Sequence, residues 1–257
     1  MKKVDKQRID REREFHNSLA ESSFDSRRLI NRLSSSFYSK SERSPIWGPV
    51  WKQLELQGKH VLDYGCGDGR FSFELARHGA LVQGIDISES LVQMATLTIP
   101  DGIPRPTFSV RDAHATGFPK ASFDYVFGNG ILHHLELERA YSEIARLLRP
   151  GGRAFFMEAM AHHPLAILIR NATPAARSVD EKPMSMHEIE TAGRFFDHIR
   201  HKEHYVVAVV AAPIHLVSET AAFWTVKKLD QIDQKIFRRF PRMKRYAWQC
   251  MLELAKA

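Results

Sequence analysis

The sequence lacks the features that mark secreted and membrane-spanning proteins. It has only two cysteines among 257 residues, Cys66 and Cys250, which exclude a disulfide framework and offer no metal-binding spacing. No apolar run reaches the roughly 20 residues that span a bilayer. The densely charged N-terminus also lacks the apolar stretch of a secretory signal. We therefore expect a cytoplasmic protein with reduced thiols.

Concentrated charge of one sign is also missing. The formal net charge is +7, which permits contact with nucleic acid or an anionic membrane but requires neither. Basic residues are spread along the chain, with one local cluster at 237–248. We interpret them as a solvated basic surface.

Short apolar runs alternate with amphipathic segments from residue 60 onward. The predicted strands are 60–65, 81–86, 106–113, 123–130 and 153–160, with helical patterns between them. Later segments predict a helix near 188–200, a strand over 204–214, a helix around 218–239 and a final strand within 246–254. Strands and helices that alternate in this way form a parallel sheet with helices on both faces. The sequence therefore predicts an α/β fold that binds its ligand at the carboxyl ends of the strands.

A glycine-rich turn, "VLDYGCGDGR" at 61–70, follows the first predicted strand. A dinucleotide fingerprint requires a third glycine where this chain has Arg70, and a phosphate-binding loop requires a Lys-Ser/Thr pair that is absent. Asp63 and Asp68 flank the turn. Carboxylates repel a pyrophosphate but suit S-adenosylmethionine, which carries an ammonium and a sulfonium and no phosphate. The next strand ends at Asp86, a carboxylate able to accept from ribose hydroxyls, although NAD sites use an acid in the same role.

Three stretches resemble the class I S-adenosylmethionine-dependent methyltransferases, and are most similar to the small-molecule group that includes the ubiquinone/menaquinone type. They are residues 61–88, 110–135 and 143–160. The resemblance implies a Rossmann-like fold with a mostly parallel seven-stranded sheet and helices on both faces. It also implies that S-adenosyl-L-methionine is the cofactor.

The resemblance assigns cofactor roles to individual residues. Asp63 and the backbone of Gly65 and Gly67 would hold the methionine portion. Asp86 would bind the ribose hydroxyls. Asn129 would face the methionine amine and the acceptor.

Three further residues are assigned to the adenine end. Ile87 would pack on the ring, Asp112 would accept from the amino group, and the Ala113 backbone N–H would meet the ring. For Asp112, an ordinary surface carboxylate remains an alternative.

The candidate catalytic residues lie at or just after the carboxyl ends of predicted strands. Methyl transfer from a sulfonium is an in-line displacement, so the protein mainly aligns the reactants. An oxygen nucleophile usually also needs a base, and histidine suits that role near neutral pH. The candidate catalytic residues are His133, His134, Glu158 and His162. For the first histidine pair, a structural or cofactor-positioning role is the alternative. Because no ligand set has convincing spacing along the chain, we expect no metal.

Acceptor binding is expected outside the shared region. We predict that 1–55 is an N-terminal helical lid and 56–257 the methyltransferase domain, with 161–200 and 215–241 as insertions that cap the acceptor. Candidate acceptor-binding residues are Tyr38, His163 and Arg170. The amphipathic stretch 216–248 suits peripheral contact with a membrane, with core packing as the alternative.

The leading hypothesis is therefore a methyltransferase for a small, lipophilic acceptor, with O-methylation favoured. Lipids, quinones, polyketides and other secondary metabolites fit this description. An RNA methyltransferase is the alternative from the nucleic-acid class, but no separate RNA-binding module is visible and the fourth strand ends in "GNGI". A protein that binds the cofactor without transferring its methyl group is a third hypothesis.

Overall fold

A seven-stranded sheet forms the centre of the molecule. The computed structural model describes residues 3–21, 39–173, 178 and 180–257. The strands are β1 (His60–Tyr64), β2 (Leu81–Asp86), β3 (Thr107–Val110), β4 (Phe123–Asn129), β5 (Leu148–Ala159), β6 (His198–His204) and β7 (Gln249–Ala255). Their order across the sheet is β3-β2-β1-β4-β5-β7-β6. β7 runs antiparallel to β5 and β6, the other described strand pairs are parallel, and the predicted mostly parallel α/β fold is confirmed.

Helices precede and connect these strands. The α-helices are α1 (Lys3–Glu21), α2 (Trp47–Trp51), α3 (Arg70–Arg77), α4 (Glu89–Leu97), α5 (Leu137–Leu147), α6 (Pro164–Ala172), α7 (Met186–Thr191) and α8 (Glu219–Arg239). Short 3-10 helices occupy Leu132–His134, Ala192–Arg194, Ala208–Leu216 and Pro241–Tyr246. Among the helices that the structure describes, none is long and apolar enough to cross a membrane.

The hydrophobic core lies on both faces of the sheet, because successive strand residues point to opposite sides. In β1, Val61 joins the cluster that packs against α2 and α3, whereas Leu62 joins the cluster that packs against α5. Phe155 and Phe156 of β5 divide in the same way. This two-sided burial explains why the central strands read as nearly continuous apolar runs.

Two predictions for the later part of the chain are wrong. The segment 204–214 is not a strand, since its first residues are held by the carboxylate of Asp233, which accepts from the backbone N–H groups of Val206, Val207 and Ala208 at 2.9–3.1 Å. Those N–H groups are therefore unavailable to a β-ladder, and a 3-10 helix begins at Ala208. The sixth strand is instead His198–His204, which lies at the edge of the sheet.

The predicted helix near 188–200 is also shorter than expected. Helix α7 begins with a capping box between Ser185 and Glu188 and ends at Thr191. Residues 198–202 alternate between exposed and less exposed positions, as a strand does, and they carry histidines and charges that suit an exposed sheet edge. The helix predicted around 218–239 is confirmed as α8.

Candidate active site

The glycine-rich turn begins where β1 ends. Gly65, Gly67 and Gly69 have φ angles of 78°, 54° and 80°, in the left-handed region that favours glycine. The backbone N–H of Gly65 donates to the Ile85 carbonyl at 2.9 Å, which fixes the turn against the end of β2. A Cβ added at Gly65 would lie 2.8 Å from the Ile131 side chain. The turn therefore brings bare backbone to the carboxyl edge of the sheet.

Asp86 organises this turn from the end of β2. One carboxylate oxygen accepts from the Gly67 backbone N–H at 2.9 Å, and the other accepts from the Ser88 N–H at 2.9 Å. Each carboxylate oxygen has a further lone pair for a ligand hydroxyl. The residue predicted to bind ribose thus also positions the glycine turn, a contact that sequence reasoning missed.

A first cavity of about 310 Å³ opens beside the turn. Seven of the predicted cofactor residues line it: Gly65, Gly67, Asp86, Ile87, Asp112, Ala113 and Asn129. His134, a catalytic candidate, lines the same cavity. The tertiary structure therefore brings the motif residues of β1, β2 and β4 to one space.

Helix α1 closes one side of the first cavity. Arg8 donates to the His134 carbonyl at 2.7 Å, and the Asn17 amide oxygen accepts from the Ser88 hydroxyl at 2.6 Å. The helix therefore bridges the segment after β4 and the segment after β2. Sequence reasoning did not single out its cavity-lining residues, which are Arg8, Ile9, Glu12 and His16.

Asp63 differs from the other predicted cofactor residues because it is not among the residues that line the first cavity. Its side chain is buried and accepts a hydrogen bond from the Ser72 hydroxyl at 2.6 Å. Burial raises the pKa of the Asp63 carboxyl, and the nearby positive charge of Lys40 opposes this rise. Direct contact between Asp63 and a ligand stays a prediction.

Asp112 is tied to the neighbouring His114. Its carboxylate accepts from the His114 backbone N–H at 2.8 Å and lies 2.9 Å from the ring Nδ1. Burial alone would raise the pKa of the Asp112 carboxyl, but the contacts with His114 hold it below its ordinary value. The His114 Nε2 accepts from the Glu136 N–H at 2.9 Å, so these partners place the ring proton on Nδ1. Asp112 is thus a fixed anion on the cavity wall.

A second cavity of about 210 Å³ adjoins the first, and both are lined by Asn129 and Gly130. The predicted residues His133, Glu158 and Arg170 line the second cavity. Its other lining residues, which sequence reasoning did not select, are Met157, Ala159, Met160, Ala166, Ile169, Glu181, Trp248 and Gln249. This cavity therefore combines apolar walls with several hydrogen-bonding groups.

His133 and Glu158 form a buried pair in the second cavity. The His133 Nδ1 lies 2.6 Å from Glu158 Oε2. The other carboxylate oxygen, Oε1, accepts from the backbone N–H groups of Ile131 and Leu132 at 3.0 and 2.9 Å. Burial would lower the pKa of the His133 imidazole, but the hydrogen bond to Glu158 and its negative charge raise it. Glu158 thus fixes both the orientation and the proton affinity of His133.

Two amide side chains at the cavities have buried atoms without partners. Asn129 Oδ1 has no hydrogen-bond partner among the described residues, and neither do Nε2 and Oε1 of Gln249. Gln249 is 1% exposed. Because buried polar atoms are nearly always hydrogen-bonded to protein, ligand or ordered water, these atoms can accept from or donate to a molecule bound in the cavities.

The remaining candidates lie elsewhere or already have backbone partners. His162 is exposed and is not among the lining residues of either cavity. His163 caps α6, where Nδ1 accepts from the Ala166 N–H at 3.3 Å and Nε2 lies 3.2 Å from the Val206 carbonyl. Arg170 donates to the Ala161 carbonyl at 2.8 Å. Tyr38 lies outside the described residues. The catalytic role of His162 and the acceptor-binding roles of Tyr38, His163 and Arg170 stay predictions.

Comparison with known proteins identifies the central segment. Residues 62–156 match the model of the methyltransferase domain family. A ubiquinone biosynthesis O-methyltransferase of Coxiella burnetii is 37% identical over 108 residues, which cover 42% of this chain and 46% of that protein. An O-methyltransferase of Penicillium expansum is 36% identical over 112 residues, covering 42% of this chain and 41% of that protein. The chain therefore spans less than half the length of these curated relatives.

Solved structures extend the likeness to the whole fold. The magnesium protoporphyrin IX methyltransferase of Synechocystis has a TM-score of 0.60 at 19% identity, covering 97% of this chain and 100% of that chain. Phosphoethanolamine N-methyltransferase 2 of Haemonchus contortus has a TM-score of 0.59 at 18% identity. The match covers 91% of this chain and 60% of that chain. At these identities the likeness shows the fold alone, which is that of the class I methyltransferases. The match to the methyltransferase domain family covers residues 62–156, in the central part of this fold.

Proposed function

We propose that this chain is an S-adenosylmethionine-dependent methyltransferase that acts on a small acceptor. The observation that carries the proposal is the pair of adjoining cavities, which meet at Asn129 and Gly130. In-line methyl transfer requires the donor and the acceptor to meet through one opening. The first cavity would hold the cofactor and the second the acceptor.

The first cavity offers groups that suit the cofactor. Its volume of about 310 Å³ lies at the lower end of the range of roughly 300–1,000 Å³ that is typical of small-molecule sites. The Asp86 carboxylate would accept from the ribose hydroxyls, and the anionic Asp112 would accept from the adenine amino group. The methionine ammonium would supply the donor that the buried Asn129 Oδ1 lacks. Any methyl group transferred comes from the sulfonium of the bound cofactor.

The second cavity favours an acceptor with an apolar body and an oxygen to be methylated. Met157, Met160 and Trp248 provide apolar surface. The Glu158–His133 pair would take the proton from a hydroxyl, with Glu158 as the group that orients the imidazole. We therefore favour O-methylation of a lipophilic small molecule such as a lipid, quinone, polyketide or other secondary metabolite.

The lid and cap assignments are part of this proposal. Residues 1–55 would act as a lid because α1 covers the first cavity. The insertion 161–200 would cap the acceptor because Ala166, Ile169, Arg170 and Glu181 line the second cavity. The insertion 215–241 differs from 161–200 in its relation to the site. Among the described residues, those that line the two cavities include none from 215–241.

The segment 216–248 would also contact a membrane surface peripherally. One face of α8 is buried through Ala222, Val226 and Phe237, which supports ordinary packing for that side. The opposite side leaves Trp224 65% exposed, and Val217 just before the helix is 88% exposed. Exposed aromatic and aliphatic groups near basic residues suit a membrane interface. Sedimentation with anionic vesicles tests this contact, and equal recovery of the wild type and Trp224→Ser in the pellet would contradict it.

Labelled methyl transfer tests the main proposal. The purified protein is incubated with S-adenosylmethionine carrying a labelled methyl group and a small-molecule extract, and in parallel with total RNA. Label is expected in an organic-soluble product together with S-adenosylhomocysteine. Label confined to RNA or protein, or cofactor binding without any S-adenosylhomocysteine, would overturn the proposal.

A further inference from the structure

Three potential metal ligands meet on the wall of the first cavity, although they are far apart in the sequence. Glu12 and His16 lie four residues apart on α1, so they share one face of the helix. His134 ends the short 3-10 helix Leu132–His134. The three ligand atoms all lie within 4.8 Å of one another, and all three residues line the cavity.

The distances from Glu12 to the two histidines match the ligand–ligand distances of a metal coordination shell. Glu12 Oε2 lies 3.2 Å from His134 Nδ1 and 3.6 Å from His16 Nε2. Ligands at about 2.0–2.2 Å from a tetrahedral Zn²⁺ are about 3.3–3.6 Å apart. The carboxylate oxygen is therefore already at coordination spacing from both imidazoles.

The two carboxylate oxygens of Glu12 have different contacts. The residue is 7% exposed, and its Oε2 lies between the rings of His134 and His16. Its other oxygen, Oε1, accepts from the Ser178 hydroxyl, a contact of the kind that orients carboxylate ligands in metal sites.

Two other groups of side chains were weaker candidates. His133, His134 and Glu181 form a second group of possible ligands. In this group, the Nδ1 of His133 is already hydrogen-bonded to Glu158. The group of His201, Glu203 and Cys250 includes a thiol whose pKa is raised well above its ordinary value by burial. In that group, Glu203 is also paired with Lys244 at 3.1 Å.

We propose that Glu12, His16 and His134 bind a borderline divalent cation such as Zn²⁺, and that the ion fastens α1 over the first cavity. Two imidazoles and one carboxylate form a donor set that Zn²⁺ prefers, with a fourth position open to water. The ion joins α1 to the segment after β4, so it closes the lid. The metal site stands on these contacts alone, while its effect on cofactor retention also rests on the proposed function.

Metal titration of the untagged protein tests the site. After removal of metals with a chelator, Zn²⁺ is titrated by calorimetry, and bound metal is measured by elemental analysis after gel filtration. The wild type is expected to retain one equivalent. Losing a group that only orients a ligand costs about 10–100-fold in metal affinity, so Glu12→Gln and His16→Gln are expected to weaken binding by at least about 100-fold. Glu14→Gln is the matched control, since Glu14 is an exposed residue of the same helix.

Two further measurements report on the geometry of the bound metal and on whether each variant is folded. Co²⁺ bound by the wild type and by Glu14→Gln should give the intense visible absorption of a tetrahedral site, which Glu12→Gln should lack. Circular dichroism checks that each variant is folded. Wild-type protein that retains no Zn²⁺, or folded variants that bind it as tightly as the control, would overturn the site.

Calorimetry with S-adenosylhomocysteine, with and without Zn²⁺, tests the lid role. Tighter binding with Zn²⁺ supports the role, and unchanged affinity overturns it. Zn²⁺ binding without any binding of S-adenosylhomocysteine would leave the metal site standing and would instead argue against the proposed function.

Discussion

Glu158→Gln tests the pairing at the centre of the second cavity. The carboxylate accepts two backbone hydrogen bonds and lies 2.6 Å from His133 Nδ1, and the residue is 1% exposed. The substitution keeps the shape but removes the charge. Hydrogen bonds to charged groups contribute about 1.5–3 kcal/mol, compared with about 0.5–1.5 kcal/mol for neutral pairs. A loss of about 1 kcal/mol for each of the three contacts gives an expected destabilisation of about 3 kcal/mol.

The expected loss of stability in Glu158→Gln depends on pH, because the attraction between Glu158 and His133 requires a protonated, positively charged His133. The pKa of His133 is raised above its ordinary value of 6.5 by Glu158. The stabilisation by charge pairing is therefore fully present below the unfolded-state pKa and is lost as the pH rises through the folded-state pKa. The difference between the wild type and Glu158→Gln should thus be larger at about pH 5.5 than at about pH 9.

Urea unfolding followed by circular dichroism measures this difference. Glu138→Gln is the control, since Glu138 pairs with Arg194 at 2.6 Å on the surface with its side chain 61% exposed. Such exposed pairs contribute about 0–1 kcal/mol. A destabilisation by Glu158→Gln no larger than that of the control, or one that does not shrink at high pH, would refute the proposed coupling of His133 to Glu158.

Three further outcomes are expected. Asp86→Asn should weaken S-adenosylhomocysteine binding in calorimetry by about 10–100-fold, the equivalent of losing a charged hydrogen bond, and an affinity within twofold of wild type would contradict the ribose role. His133→Gln should lower methyl transfer by about 100-fold or more and abolish the rise in wild-type rate as the pH passes through the raised pKa of His133. A pH profile that keeps its shape would exclude His133 as the base. Asp233→Ala should destabilise the fold by about 3 kcal/mol in urea, because three backbone N–H groups lose their acceptor. A change below about 1 kcal/mol would show that water replaces the carboxylate.

The structure of residues 60–160 was predictable because its signals are local. Apolar runs of strand length, the glycines at 65, 67 and 69, and helix caps such as Ser88 all act within a few residues. The Ser88 hydroxyl accepts from the Leu91 N–H at 3.2 Å, as expected for a cap. Such signals specify strand, turn and helix without reference to distant contacts.

The errors after residue 160 arose where a distant group decided the local structure. The run "YVVAVVAAPI" at 205–214 has the composition of a buried strand. Three of its backbone N–H groups instead donate to Asp233, a residue of α8 that lies 25–27 positions later in the chain. Tertiary contacts of this kind override intrinsic propensity, and no short-range pattern in the chain reports them.

The sequence by itself determined the fold class and the glycine turn, since these follow from local patterns, and the family resemblance implied seven of the residues that line the first cavity. Only the tertiary structure decided which side chains from other elements lie across the cavities from these residues. It placed α1 over the cavity, paired His133 with Glu158, brought Gln249 from the last strand to the second cavity, and joined Glu12 to His134 across 122 residues. The proposed metal and acceptor sites combine residues from different elements, so they leave no fixed spacing in the chain, because folding rather than sequence distance brings their atoms together.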